Sequence, residues 1–308
     1  MNTKAIGRMS INITNSIVNN TVLVIIVLLV AFAGYALWDS NQLHMGADKS
    51  NYSVYKPTQA DNGKSFKELQ DINDEVFAWL TIYGTNIDYP VTQGPDNMKY
   101  VNTNAEGQYS LSGAIFLDYA NSKDFSDFNN ILYGHHMARN VMFGEIGEFS
   151  DKRKFDSHLY GNLHFNDQDH GIEFFAFLHV DAYDRTVFDA GVREEHWQSY
   201  LDGLLDKAIH IRDIGITIND RIVLLSTCSS DSTNGRDILV GRISDASYEN
   251  NLNNNNNERE AATNNNGISI VRKIPLWALI LVMVLIARLV VIILDVSNTR
   301  KRVEIYET

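Results

Sequence analysis

Arg221-Ile-Val-Leu-Leu-Ser-Thr-Cys-Ser-Ser-Asp-Ser-Thr-Asn-Gly-Arg236 opens with a near-continuous apolar run, Ile222 to Leu225, that stops abruptly in polar residues. The length and β-branched content of that run predict a buried strand rather than a helix. It delivers the chain's single cysteine, Cys228, to the strand end. From Ser229 to Gly235 the residues are Ser, Asp, Thr, Asn and Gly, which favour a turn because they compete for backbone hydrogen bonds or tolerate positive φ. Arg236-Asp-Ile-Leu-Val-Gly-Arg-Ile243 then reads as a returning strand that carries the Arg236 guanidinium back toward the sulfur. A nucleophile with a fixed cation beside it fits this layout. A small, inert, buried cysteine fits it as well, and this strand alone leaves both readings open.

Composition narrows the classes. The 308 residues leave room for one sizeable domain with attachments, and 44% apolar content suffices for a packed core. A net charge of −12, with no basic stripe, excludes a nucleic-acid binder, which needs clustered Lys and Arg. One cysteine cannot form an intramolecular disulfide, and a lone thiol outside the cytoplasm is a liability more easily explained as a reactive group.

Thr21 to Trp38 is an uncharged apolar run, close to the roughly 17–25 residues that cross a bilayer as a helix. Lys4 and Arg8 precede it, predicting a cytoplasmic N-terminus. Ala31-Phe-Ala33 loosely resembles a signal-peptide cleavage site. An uncleaved anchor is favoured because the apolar run continues past it. Ile274 to Leu294 is a second candidate span, and Arg300-Lys-Arg302 after it predicts a cytoplasmic tail. Arg288 interrupts it at an insertion cost of about 2.5–3.5 kcal/mol, relieved if the side chain snorkels to a head group. The expected division is therefore a cytoplasmic N-terminus over 1–20, a signal anchor over 21–38 and a linker over 39–64. An extracellular catalytic domain follows over 65–247, then an Asn-rich linker over 248–273, the second transmembrane helix over 274–294 and a cytoplasmic tail over 295–308.

Inside the domain, Leu69, Ile72, Val76, Phe77 and Leu80 recur at helical spacing, predicting a short opening helix. Strand character appears at 79–83, 87–91, 114–117, 130–133, 173–179 and 221–227, separated by Gly, Asn and Asp. Many short strands at irregular intervals suggest a closed or nearly closed antiparallel sheet. One inserted helix is expected from Arg193 to about His210, with Trp197, Tyr200, Leu201, Leu204, Leu205 and Ala208 as its apolar stripe.

Asn129-Asn-Ile-Leu-Tyr-Gly-His-His-Met137 repeats the cysteine segment's logic: a short strand, a glycine, then polar groups. A thiol nucleophile needs a proton carrier poised near neutral pH, and of the nine histidines only His135 and His136 follow a strand and a permissive glycine. A double His as a metal site is disfavoured, because adjacent residues rarely aim at one ion and no third ligand has suitable spacing.

These segments, together with Glu75 to Gln93, Gly113 to Asp118, Asp124 to Asp127, Met142-Phe-Gly144 and Leu225-Ser-Thr-Cys228 with Arg236, resemble the sortases of Gram-positive cell surfaces, class B most of all. The resemblance runs from about Glu75 to Ile243. It implies a mainly β fold: an eight-stranded sortase β-barrel with an N-terminal helix and an inserted helix, flanked here by two transmembrane helices. It also implies a membrane-anchored cysteine transpeptidase that needs no cofactor or metal. Such an enzyme cuts a C-terminal sorting signal in a secreted surface protein and transfers the acyl group to an amine of a peptidoglycan precursor or a pilin. By the same resemblance Cys228 is the nucleophile and His135 the acid and base, with His136 next in line. Arg236 stabilises the substrate backbone and the oxyanion, with Arg242 considered, and Ser226 and Thr227 contact substrate. A C-terminal span is more usual in the class C enzymes that polymerise pili, which leaves wall anchoring and pilus polymerisation both open. A non-catalytic peptide receptor and a cysteine hydrolase are the rival functions.

Overall fold

The computed structural model describes residues 3–57, 63–228, 234–250, 252, 285 and 288. The chain divides into two compact units, Met1–Gln42 with Asn265–Thr308, and Leu43–Asn264. Helix α1 (Thr3–Gly46) is longer than the expected 21–38 span, and its Thr14–Gly46 portion is long and apolar enough to cross a membrane. The second expected span, Ile274–Leu294, and nearly all of the Asn-rich linker lie outside the described residues.

The larger unit is built on nine strands: β1 (Val76–Ile82), β2 (Asp88–Thr92), β3 (Ile115–Leu117), β4 (Asn129–Tyr133), β5 (Tyr160–Phe165), β6 (Gln168–Asp181), β7 (Ala208–Ile211), β8 (Arg221–Cys228) and β9 (Gly235–Ser244). They run in the order β5-β1-β2-β3-β4-β8-β9-β6, and β6 pairs back onto β5 to close an eight-stranded barrel. The β2–β3 and β4–β8 pairs are parallel and the others antiparallel. The long β6 spends its first residues against β5 and a later stretch against β7, the ninth strand.

The unbroken apolar run of β8 has a direct cause: both of its faces are covered. Val223 and Leu225 join a larger core cluster with Leu132, Phe177 and Leu239. Ile222 and Leu224 join a second cluster with Tyr200, Leu201 and Leu204 of helix α4 (Trp197–Lys207).

Three expectations need correction. The opening helix, α2 (Lys64–Ile72), stops well short of Leu80. Asn73 ends it, donating to Tyr100 Oη at 2.9 Å and to Ala105 O at 3.0 Å while accepting from Glu75 N–H. Val76, Ala78 and Leu80 are instead buried together along β1, since apolar positions four apart satisfy strand and helix periods alike. The inserted helix ends at Lys207, and Ala208 to His210 belong to β7. Finally, the 39–64 stretch is not merely polar connection, because Ala47 and Tyr52 are buried in the core.

Strand β5 escaped the sequence reading because Asn162 and His164 interrupt its apolar residues, and Gln168 and Asp169 begin β6 exposed. The signal was the two-residue turn Asn166-Asp167, at φ 51° and 59°, a geometry that joins adjacent strands into a hairpin.

Candidate active site

Three strand ends meet at the end of β8. On one side the parallel register pairs Tyr133 with Ser226, and Gly134 N–H continues the ladder to Ser226 O at 3.2 Å. Two residues beyond that pair, on the two chains, stand His135 and Cys228. On the other side, the antiparallel register sets Cys228 directly opposite Arg236. Neighbouring strands lie about 4.8 Å apart, so backbone pairing alone brings the cysteine, histidine and arginine positions together.

The histidine strand end needs its glycine. A Cβ at Gly134 would sit 2.7 Å from the ring of Phe143, which packs over that backbone. Beyond it the chain turns tightly: Phe143 N–H donates to His135 O at 3.0 Å, and His136 bridges Met142. Arg139, Asn140 and Met142 hold positive φ in this turn, at a cost of about 1–3 kcal/mol each.

His135 is oriented by a backbone carbonyl, its Nε2 lying 2.8 Å from Val101 O. A carbonyl only accepts, so Nε2 carries the proton and Nδ1 is the basic nitrogen of the neutral ring. Val101 closes the 3-10 turn Lys99–Val101. Gly113, at φ 59°, presses on that turn so closely that a Cβ would meet Tyr100 O at 2.4 Å and Val101 O at 2.7 Å. Glu75 ties the same turn down, with Lys99 Nζ at 2.6 Å and Tyr100 Oη donating at 2.5 Å. None of these supports was read from sequence as part of the site, although Glu75 and Gly113 stand in the quoted motifs.

Burial pushes the Glu75 carboxyl up, but hydrogen bonds from Lys99 and then Tyr100 outweigh it and hold the group below the ordinary glutamate range. As pH falls, the unfolded chain therefore takes up this proton before the folded one does. The stabilisation is complete above about pH 4.3 and drains away as pH drops through the lowered folded value. Melting temperatures of wild type and Glu75→Gln should differ most at neutral pH and converge toward pH 3. A gap independent of pH would mean that the carboxylate charge is not its source.

Arg236 is half-buried, in phase with Ile238 and Val240, and its Nη1 donates to Gly235 O at 2.9 Å. Its neighbour Asp237 is buried on the other face, 2.8 Å from His179 Nδ1, and pairs in register with Thr227. Arg242 stands opposite Ile222 instead, far down the strand, where it bonds Glu173 and the Ile214 carbonyl. His136 sits in the turn with a buried Nδ1 that has no partner among the described residues. Ser226 and Thr227 are each 2% exposed, and their hydroxyls also lack partners among the described residues. A buried unpaired hydroxyl costs about 1–3 kcal/mol.

The remaining motif residues serve the frame. Asp118 accepts from Tyr133 Oη at 3.0 Å and Asn97 Nδ2 at 2.8 Å, and Gln93 Nε2 donates to the Asp118 and Asn121 carbonyls. Asp127 accepts from Ser122 N–H and Asn121 Nδ2. These bonds hold the loop beside β4, two residues before His135.

No family model matches the chain. Among solved structures it is similar to the sortase B from the type II pilus of Streptococcus pneumoniae, at 47% identity and a TM-score of 0.52, over 59% of this chain and 99% of that one. A Streptococcus pyogenes class B sortase involved in pilus biogenesis is 40% identical, with a TM-score of 0.54 and the same coverage. The curated sortase B of Staphylococcus aureus is 31% identical over 183 residues, covering 58% of this chain and 74% of that protein. Similarity that spans nearly the whole pneumococcal chain, on a closed barrel whose β8 ends at the single cysteine of the sequence, means that the chain belongs to the class B sortases and is a cysteine transpeptidase.

Proposed function

We propose that this sortase links pilin subunits covalently, with Cys228, His135 and Arg236 as its catalytic set. The observation that carries the pilin assignment is the ranking of identities: 47% and 40% to two pilus enzymes, against 31% to the staphylococcal protein.

In this reading His135 Nδ1 takes the proton of the Cys228 thiol, and the thiolate so formed attacks the scissile carbonyl of a C-terminal sorting signal in a secreted protein. The Arg236 guanidinium, opposite Cys228 in register, stabilises the oxyanion with charge set in place beforehand. Collapse of the adduct breaks the peptide bond, and His135 gives its proton to the departing amine, leaving a thioester. A lysine amine of the next subunit then loses a proton to His135 and attacks the thioester, releasing Cys228 and forming an amide. Ser226 and Thr227 line the strand that substrate approaches. The Thr14–Gly46 helix is the membrane anchor, with the catalytic unit outside the cell. Ile274–Leu294 is a second anchor, supported by its apolar run and the Arg300-Lys-Arg302 cluster after it.

The test is product analysis. Full-length enzyme in detergent is given a surface protein bearing a sorting signal, with either a second pilin subunit or a peptidoglycan precursor as amine donor. Subunit-to-subunit amide ladders, resolved by mass spectrometry, are the expected product. Exclusive transfer to the precursor would make this a wall-anchoring enzyme, and free carboxylate in both mixtures would make it a hydrolase.

A further inference from the structure

The strained turn after His135 has a tie that comes from elsewhere in the fold. Arg139, Asn140 and Met142 hold φ of 62°, 56° and 52° without being glycine, and such backbone persists only where its surroundings over-determine it. Met142 N–H donates to Tyr89 Oη at 3.0 Å, and that hydroxyl donates in turn to Ala47 O at 3.0 Å. Tyr89 lies on β2 and Ala47 directly follows α1, so three distant segments share one hydroxyl. Ala47, Tyr89 and Met142 are all buried, which keeps competing water away. The Tyr52 ring meets Tyr89 edge-on, with centroids 6.4 Å apart. Burial raises the Tyr89 hydroxyl above the usual tyrosine range, so it stays a neutral O–H that accepts one bond while donating the other.

We propose that Tyr89 is a positioning residue for His135: its hydroxyl, set by the Ala47 carbonyl and the Tyr52 ring, clamps the turn whose base is the His135 backbone. The inference rests on His135 being the acid and base. Met142 is clamped by Tyr89 and bridged to His136, and the adjoining Phe143 N–H holds His135 O, so the clamp is one step from the imidazole's own backbone. Removing the hydroxyl orphans a buried N–H and a buried C=O together. The strained turn then relaxes and the imidazole leaves its productive geometry. Displacement of a catalytic group by about 1 Å can cost about a hundredfold in rate, whereas substrate contacts on other strands are untouched.

The experiment compares full-length wild type with Tyr89→Phe on a sorting-signal peptide, with active molecules counted by thiol titration of Cys228. Per active molecule, kcat should fall about ten- to hundredfold, with KM within about threefold, and the Met142 amide should exchange faster with solvent. A folded Tyr89→Phe with wild-type kcat, or a loss confined to KM or to the active fraction, overturns the proposal. Should Tyr89→Phe fail to fold, Tyr52→Leu is read by the same measures, and unchanged kcat there overturns it equally. His135→Ala separates the two inferences. Turnover that survives this change rejects the acid-base role itself, whereas a kcat loss in His135→Ala without one in Tyr89→Phe rejects only the clamp.

Discussion

Cys228→Ala should fold normally and lose more than about 10⁴-fold in turnover, and no thioester adduct should form on it. Mass spectrometry of full-length enzyme incubated with a sorting-signal peptide gives the readout: wild type gains the mass of the acyl fragment and the variant gains nothing. The size of the effect follows from chemistry that cannot relocate, because no second cysteine exists in the chain to form the thioester. Hydroxyl or water attack without the thiol would have to proceed from the remaining arginine and imidazole alone. Substantial turnover by the alanine variant would therefore place the nucleophile elsewhere and dismantle the mechanism. Retained folding is expected because the β8 backbone pairs with β9 through the ladder whatever side chain stands at 228.

The second large effect separates two adjacent histidines. His135→Ala should lower kcat by about 10²–10⁴-fold, and His136→Ala by less than about tenfold, in steady-state assays at the pH of maximal rate. His135 continues the strand whose register brings it beside Cys228, and Val101 O orients its ring through Nε2. His136 belongs to the turn, bridged to Met142, with its Nδ1 buried. Equal losses at both positions would mean that the turn as a whole, rather than one imidazole, governs the rate. A larger loss at His136 would shift the acid-base assignment by one residue.

Much of the site was legible because its parts obey local rules. The apolar run Ile222 to Leu225 reads as a strand buried on both faces, and both core clusters do claim it. Gly134 marks the histidine strand end, and the close approach of Phe143 supplies the reason for a glycine there. What escaped had no local signature. Residues 76–80 satisfy two periodicities at once, and only pairing with β2 and β5 decides for strand. The Val101 carbonyl is invisible in principle, since every residue has one and only the fold selects which meets the imidazole.

Sequence alone determined the strand that carries the cysteine, the returning arginine strand and the pairing of a glycine with a candidate base. It did so because strand period, turn chemistry and thiol reactivity are properties of neighbouring residues. Tertiary structure decided the rest: that Arg236 rather than Arg242 faces position 228, that a carbonyl from another turn sets the imidazole tautomer, and that the segment after α1 reaches the histidine's turn through Tyr89. Those are contacts between residues far apart in the chain, and register and barrel closure bring them together.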